Sequence, residues 1–260
     1  MDLLSPERLA QGYVIVLPGI EGHSLWNRSI VHGLVDAGIP YGIEIYDWTW
    51  TRAFPPINLR YGGNHRSQSD RIAEKITQYR RRHPSTPLYL IGHSGGGAMT
   101  LFTLPKLPAG VTATGGILLG PAVSPVFDLQ PAMAKTTRGL WNFASVFDVV
   151  FLAFGTTLLG TCDGHYRTSA GCLGFRQTEP APSPAEPPPE PYYREIPYRF
   201  EMMRHLNLGG HFGYVNRRFV ASWLAPILRG GEVPPQAIRR IARRAPEPSP
   251  SAPAEEAVSR

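Results

Sequence analysis

Leu88-Tyr89-Leu90-Ile91-Gly92-His93-Ser94-Gly95-Gly96-Gly97 is the stretch on which the reading of this chain turns. A short apolar run ends in Gly-x-Ser-x-Gly, and a helix-compatible segment, Ala98–Leu104, follows. This is the pattern of a nucleophile elbow: a serine on a strained strand-to-helix turn, its hydroxyl exposed at the top of a sheet. Gly92 and Gly96 have a steric reason to be there, because a Cβ at either would collide with the neighbouring strand or helix. The alternative is a glycine-rich βα turn carrying an incidental serine.

Working outward, the same alternation of elements recurs. Tyr13–Leu17 (YVIVL) is a continuous β-branched run that reads as a buried parallel strand, followed by the turn Pro18-Gly19-Ile20-Glu21-Gly22. Leu25–Ala37 has apolar residues at 26, 30, 31, 34 and 35 and reads as an amphipathic helix closed by Gly38. Tyr41–Tyr46 is the next strand. Asn58–Asn64 is turn-rich, and Ser69–Arg82 is helical with Ile72, Ile76 and Tyr79 on one face. Pro87–Ile91 leads into the elbow; Thr114–Leu119 and Gly139–Ser145 are further strands, with a short helix at Pro131–Lys135 between them. Tyr198–Leu206 reads as the last strand and Asn216–Leu228 as the closing helix. Strands alternating with helices imply an α/β fold: a mostly parallel sheet of about six strands covered on both faces.

The chain of 260 residues suits one domain over 1–230. An insertion at about 155–195 contains the Pro/Glu/Ala run Thr178–Pro191, a composition unsuited to a helix or strand interior. From 231 the chain is basic and then Pro/Ser/Ala-rich, with disorder expected from about Ala245. The formal charge is +6 and nearly all of the basic residues are arginine. Arg80–Arg82 and Arg239–Arg244 cluster, but no nucleic-acid motif or interleaved aromatics accompany them, so they read as solvated helix ends. Met1–Gln11 is polar and lacks a signal-peptide pattern, which places the chain in the cytoplasm with Cys162 and Cys172 as thiols. Cys162, His165 and Cys172 lack paired Cys-x-x-Cys elements, so no metal or other cofactor is implied. Leu140–Gly160 is apolar over about the length of a membrane span. Asp148 interrupts it, a costly charge in lipid, so it reads as buried strand and helix around a functional carboxylate. Membrane association is not expected, and the oligomeric state is open.

A serine hydroxyl needs a general base, and the base an orienting carboxylate. On this type of fold the chain order is Ser, Asp/Glu, His. His211, in Gly209-Gly210-His211-Phe212-Gly213, lies on a loop before the closing helix and is the candidate base; His205 competes from within the expected last strand. Asp148, after Ser145-Val146-Phe147, is the first candidate acid, with Asp163 and Asp128 as rivals. The oxyanion donors would be the N–H groups of Gly95 and of Ile20, with Glu21 the second choice to Ile20. Trp48, Trp50, Phe151, Leu152 and Phe154 could line an acyl pocket or belong to the core.

With these pieces placed, the chain resembles the α/β-hydrolase superfamily in its lipase/esterase-like branch, from Gly12 to about Leu228. The resemblance rests on Pro18–Gly22 as oxyanion turn, Gly92–Gly96 as elbow, Ser145–Asp148 as acid turn and Gly210–Phe212 as base loop. It departs from the family in lacking N-terminal antiparallel strands and a large cap before Asp148. The resemblance implies a three-layer α/β-hydrolase fold and a serine hydrolase acting on a small-molecule or lipid ester through Ser94, His211 and Asp148, without nucleic acid. A thioesterase or peptidase on the same scaffold, or a non-catalytic binding protein of the same fold, are the alternatives.

Overall fold

The computed structural model describes residues 2–176, 178–180, 191–231, 233 and 239–241. Among them, six strands form one sheet: β1 (Tyr13–Leu17), β2 (Gly42–Ile45), β3 (Leu88–His93), β4 (Ala113–Leu119), β5 (Thr136–Ala144) and, after the two-stranded element's first strand β6 (Thr178–Pro180), β7 (Tyr192–Pro197). The order is β2-β1-β3-β4-β5-β7, and every neighbouring pair is parallel. Among the described residues no antiparallel strand precedes β1. The mostly parallel three-layer α/β fold is as the sequence implied.

The continuous apolar runs follow from burial on both faces. In β1, Val14 and Val16 pack with Tyr89, Ile91, Ile117 and Leu119 on one side, under α2 (Leu25–Asp36) and the closing helix. Ile15 and Leu17 pack with Leu88, Leu90 and Leu118 on the other, under α4 (Gly62–Arg82) and α5 (Gly95–Thr103). The first helix, α1 (Pro6–Gln11), and the short α3 (Ile57–Arg60) flank this frame. The closing helix runs through Arg217–Phe219, Val220–Leu224 and Ala225–Leu228, with a π turn in the middle segment. Pro226 has no N–H to return to residue 222, so the turn before it widens.

The chain leaves β1 toward β2 on one side, then returns to place β3 on the other. The strand order reverses there, and a crevice opens beyond the carboxyl ends of β1 and β3, where ligands of such sheets bind. Those two ends carry the Pro18–Gly22 turn and Ser94.

Several expectations need correction. Tyr198–Leu206 is not a strand: Phe200–His205 is a 3-10 helix, and the last strand of the sheet is Tyr192–Pro197. That strand was obscured by Arg194 and Glu195, which are charged yet fully buried. Glu195 accepts hydrogen bonds from the Tyr193 hydroxyl (2.7 Å) and the Phe175 N–H (2.9 Å), and an Arg194 Nη1 donates to the Arg138 carbonyl (2.6 Å). Such partners are what allow charge inside a sheet. The turn-rich Asn58–Asn64 is largely helical, because α4 begins at Gly62. Thr178–Pro180 pairs antiparallel with β8 (Arg239–Ile241), so the start of the Pro-rich run and part of the second arginine cluster are strand, not loop and helix end. The remainder of the Pro-rich insertion and the tail from 242 lie outside the described residues. Among the described residues no helix is long and apolar enough to cross a membrane; Leu140–Gly160 is the end of β5, a loop, a π-helical turn Val149–Gly155 and the helix Thr156–Leu159.

Candidate active site

The elbow is built by sterics. A Cβ on Gly92 would sit 2.2 Å from the Gly96 carbonyl oxygen, and one on Gly96 would sit 2.0 Å from that of Leu17. Both obstacles are backbone, which cannot move aside as a side chain can. Ser94 takes φ 53° and ψ −116°, a conformation that non-glycine residues seldom adopt. It is held by its N–H to the Leu119 carbonyl (2.9 Å) and by its carbonyl, which accepts from Ala122 N (3.0 Å) and Gly97 N (3.0 Å).

Of the three aspartates weighed from sequence, Asp148 meets the loop histidine. Its Oδ2 lies 2.6 Å from His211 Nδ1, with both side chains buried. The carboxylate also caps the π-helical turn, its Oδ1 accepting from Leu152 N at 3.4 Å. Asp163 is committed elsewhere, to the N–H (2.9 Å) and hydroxyl (2.5 Å) of Ser124 and to His165 Nδ1 (3.2 Å). Asp128 accepts from Gln130 N (3.0 Å) at the start of a short helix. His205 stands at the end of the 3-10 helix, away from this pairing.

His211 is fixed from three directions. Asp148 holds Nδ1. The Phe151 ring stacks on the imidazole at 4.8 Å and 22°. His93, fully buried beside Ser94, places Nε2 3.0 Å from the His211 carbonyl. A carbonyl only accepts, so His93 donates through Nε2. Burial first, then the neighbouring His211, lowers the His93 pKa to about 3. The loop itself is tied by buried Asn207, whose Oδ1 accepts from Gly209 N (2.9 Å) while its carbonyl accepts from the Tyr198 hydroxyl (3.2 Å). Gly209, at φ 84°, lets the chain turn there. Ser94 and His211 share no hydrogen bond in this arrangement; such contacts commonly tighten only on substrate binding.

The Ile20 and Trp48 side chains close on Gly95: a Cβ there would lie 2.9 Å from both Ile20 Cγ2 and Trp48 Cζ2. Gly95 is the first residue of α5, where N–H groups have no intrahelical acceptor and the helix dipole favours negative charge. The turn bearing Ile20 is fastened by three side chains, of which Asn58 and Asp47 carry no sequence signal for this role. Buried Asn58 donates to the Ile20 carbonyl at 2.9 Å, Trp48 Nε1 donates to the Pro18 carbonyl at 2.7 Å, and Asp47 accepts from His23 N at 3.1 Å. Trp48 is therefore core and scaffold, not pocket lining, and Leu152 is buried as well. Trp50, Phe151 and Phe154 are exposed. Among the described residues no group of three His, Cys, Asp or Glu side chains is placed to hold a metal.

A parallel sheet with a serine elbow, a buried Asp–His pair and a fastened turn opposite the elbow are the parts of an α/β hydrolase. The chain belongs to the serine aminopeptidase family S33, whose model matches residues 9–149. The match ends one residue past Asp148 and does not reach His211. No curated protein matches the chain in sequence. Among solved structures, a dienelactone hydrolase-like promiscuous phosphotriesterase from metagenomic libraries is 16% identical over 53% of this chain and 58% of its own, with a TM-score of 0.39. A predicted CIB-like hydrolase from Thermoplasma acidophilum is 16% identical over 87% of this chain and 89% of its own, with a TM-score of 0.44. Lipase B of Aspergillus fumigatus is 12% identical over 86% of this chain and 54% of its own, with a TM-score of 0.51. The chain thus spans little more than half the length of the first and last of these, and the likeness to the lipase bears on the fold alone.

Proposed function

We propose that the protein is a serine hydrolase that cleaves a carboxylic ester through an acyl-enzyme. The observation that carries the reading is the buried 2.6 Å contact between Asp148 Oδ2 and His211 Nδ1 next to the Ser94 elbow. In the proposed reaction, Asp148 accepts from Nδ1–H, which leaves Nε2 free to take a proton. Ser94 Oγ attacks the ester carbonyl carbon as its proton passes to Nε2. The Ile20 and Gly95 N–H groups receive the developing oxyanion. Collapse of the tetrahedral intermediate breaks the bond to the alcohol, which takes the proton from Nε2. Water then repeats the sequence on the acyl-enzyme and releases the acid. Exposed Phe151, stacked on His211, with the exposed Val150 and Phe154 on the same π-helical turn, favours an apolar substrate portion.

The test is a fluorophosphonate probe on wild type and Ser94→Ala. Labelling of the folded wild type that disappears in the variant supports the proposal; a folded, unlabelled wild type refutes it and favours a binding protein of the same fold. A ladder of p-nitrophenyl esters from acetate to palmitate reads the chain-length preference. Because the family's description names an aminopeptidase, aminoacyl p-nitroanilides form the second arm; faster turnover of these would move the reading to amide hydrolysis.

A further inference from the structure

Glu21 is a partly buried carboxylate that the proposed chemistry does not use. It stands on the turn after β1 and folds back so closely that a Cβ on Gly19 would lie 2.2 Å from its Oε2. Its Oε1 accepts from the Ser24 hydroxyl at 3.3 Å. Burial raises its pKa above the usual carboxylate value, although its own N–H, Ser24, the nearby His211 and the Gly19 N–H all pull the other way. Among the described residues no lysine or arginine pairs with it. A lone carboxylate here is costly twice: it is partly desolvated, and it lies on the turn where the reaction would develop a second negative charge. A cation supplied from outside would relieve both.

The place for such a cation is adjacent. A groove of about 440 Å³ is lined by Ser24, Leu25, Trp26, Ser29, Phe212 and the two residues that precede the closing helix, Val215 and Asn216. It shares Ser24 with Glu21 and adjoins His211 through Phe212. No charged side chain lines it. Its walls combine Leu25, Val215 and the Trp26 and Phe212 rings, stacked at 4.4 Å, with the uncharged polar Ser24, Ser29 and Asn216. Aromatic faces attract an organic cation, and apolar walls accept its alkyl groups. We propose that this groove and Glu21 together form a subsite for an alkylammonium group on the substrate, with the carboxylate beside the shared Ser24 and the Trp26–Phe212 pair as a wall. The inference rests on the hydrolase reading given above and narrows its substrate class.

A choline ester and the 3,3-dimethylbutyl ester of the same acid have the same shape and differ only in charge. Their kcat/KM values are compared at about pH 8 and low salt. Wild type is expected to favour the choline ester about tenfold, the order of one partly desolvated charge pair. The preference should fall toward unity in Glu21→Gln, persist in part in Glu21→Asp, and shrink in wild type as sodium chloride is added. Cleavage of both esters without a charge preference, or a preference retained in folded Glu21→Gln, overturns this inference alone. Failure to cleave the choline ester while Ser94 is labelled also overturns this inference alone; failure to cleave either ester with Ser94 unlabelled overturns the hydrolase reading, and the inference with it. Should Glu21→Gln not fold, the salt dependence of wild type decides: a tenfold preference that salt leaves untouched refutes the role of charge.

Discussion

His93 makes the stability of this protein depend on pH in a way that can be isolated. The imidazole is fully buried next to Ser94 and donates to the His211 carbonyl. Burial, reinforced by His211, takes its pKa from 6.5 to about 3. A histidine lowered in the folded state binds its proton more readily in the unfolded chain. Its contribution is therefore whole above about pH 6.5 and is lost as pH falls from there toward 3. Between pH 7 and pH 5 the linkage amounts to about 2 kcal/mol, and below both pKa values to about 5 kcal/mol, the whole of the shift from 6.5 to about 3. For a domain of this size, about 2 kcal/mol corresponds to roughly 4–8 °C in Tm. In His93→Gln the amide can donate to the same carbonyl but does not titrate. Urea denaturation of both proteins at pH 7 and pH 5, followed by tryptophan fluorescence, gives the difference in pH dependence with the other titrating groups held in common. Wild type should lose about 2 kcal/mol more than the variant. Equal losses would refute the argument, since they would mean that His93 is protonated in the fold or reaches solvent.

Two further predictions test the elbow and the acid. Asp148→Asn should lower kcat by about 10³–10⁴ with the fold intact, whereas Asp128→Asn and Asp163→Asn should leave kcat within a few-fold, measured on whichever p-nitrophenyl ester is turned over; a larger loss at Asp163 would reassign the orienting carboxylate. Gly96→Ala forces a methyl to 2.0 Å from the Leu17 carbonyl oxygen and should cost more than about 3 kcal/mol; circular dichroism melting of this variant close to the wild-type Tm would show that the elbow can relax.

How far the sequence could be read depended on whether a feature was local. The elbow was legible because its constraint lies within Gly92–Gly96 and the strand beside it: close backbone approach excludes Cβ atoms, and glycine is visible in any sequence. Strands β1, β3 and β4 were legible for the same kind of reason, since burial on both faces demands unbroken apolar runs. The last strand was not. Tyr192–Pro197 carries Arg194 and Glu195 into the interior, and their acceptable burial depends on Arg138, Tyr193 and Phe175, which no local pattern announces. Asn58 and Asn207 were missed likewise, because an asparagine that fastens a turn looks like any loop asparagine until its partners are known.

The sequence by itself determined that a serine would stand on a strained turn at the carboxyl end of a parallel strand, with a glycine-flanked histidine following near the closing helix. It favoured Asp148 from its place after a strand but left Asp163 and Asp128 as rivals, because each is an aspartate in a turn and local geometry treats them much alike. In the tertiary structure one carboxylate reaches His211, one is taken by Ser124, and one accepts from the Gln130 N–H. The tertiary structure also decided that Glu21, read as part of a turn, stands as a partly buried charge beside an uncharged groove. Pairing and isolation of charge are properties of neighbours in space, and the order of residues along the chain does not contain them.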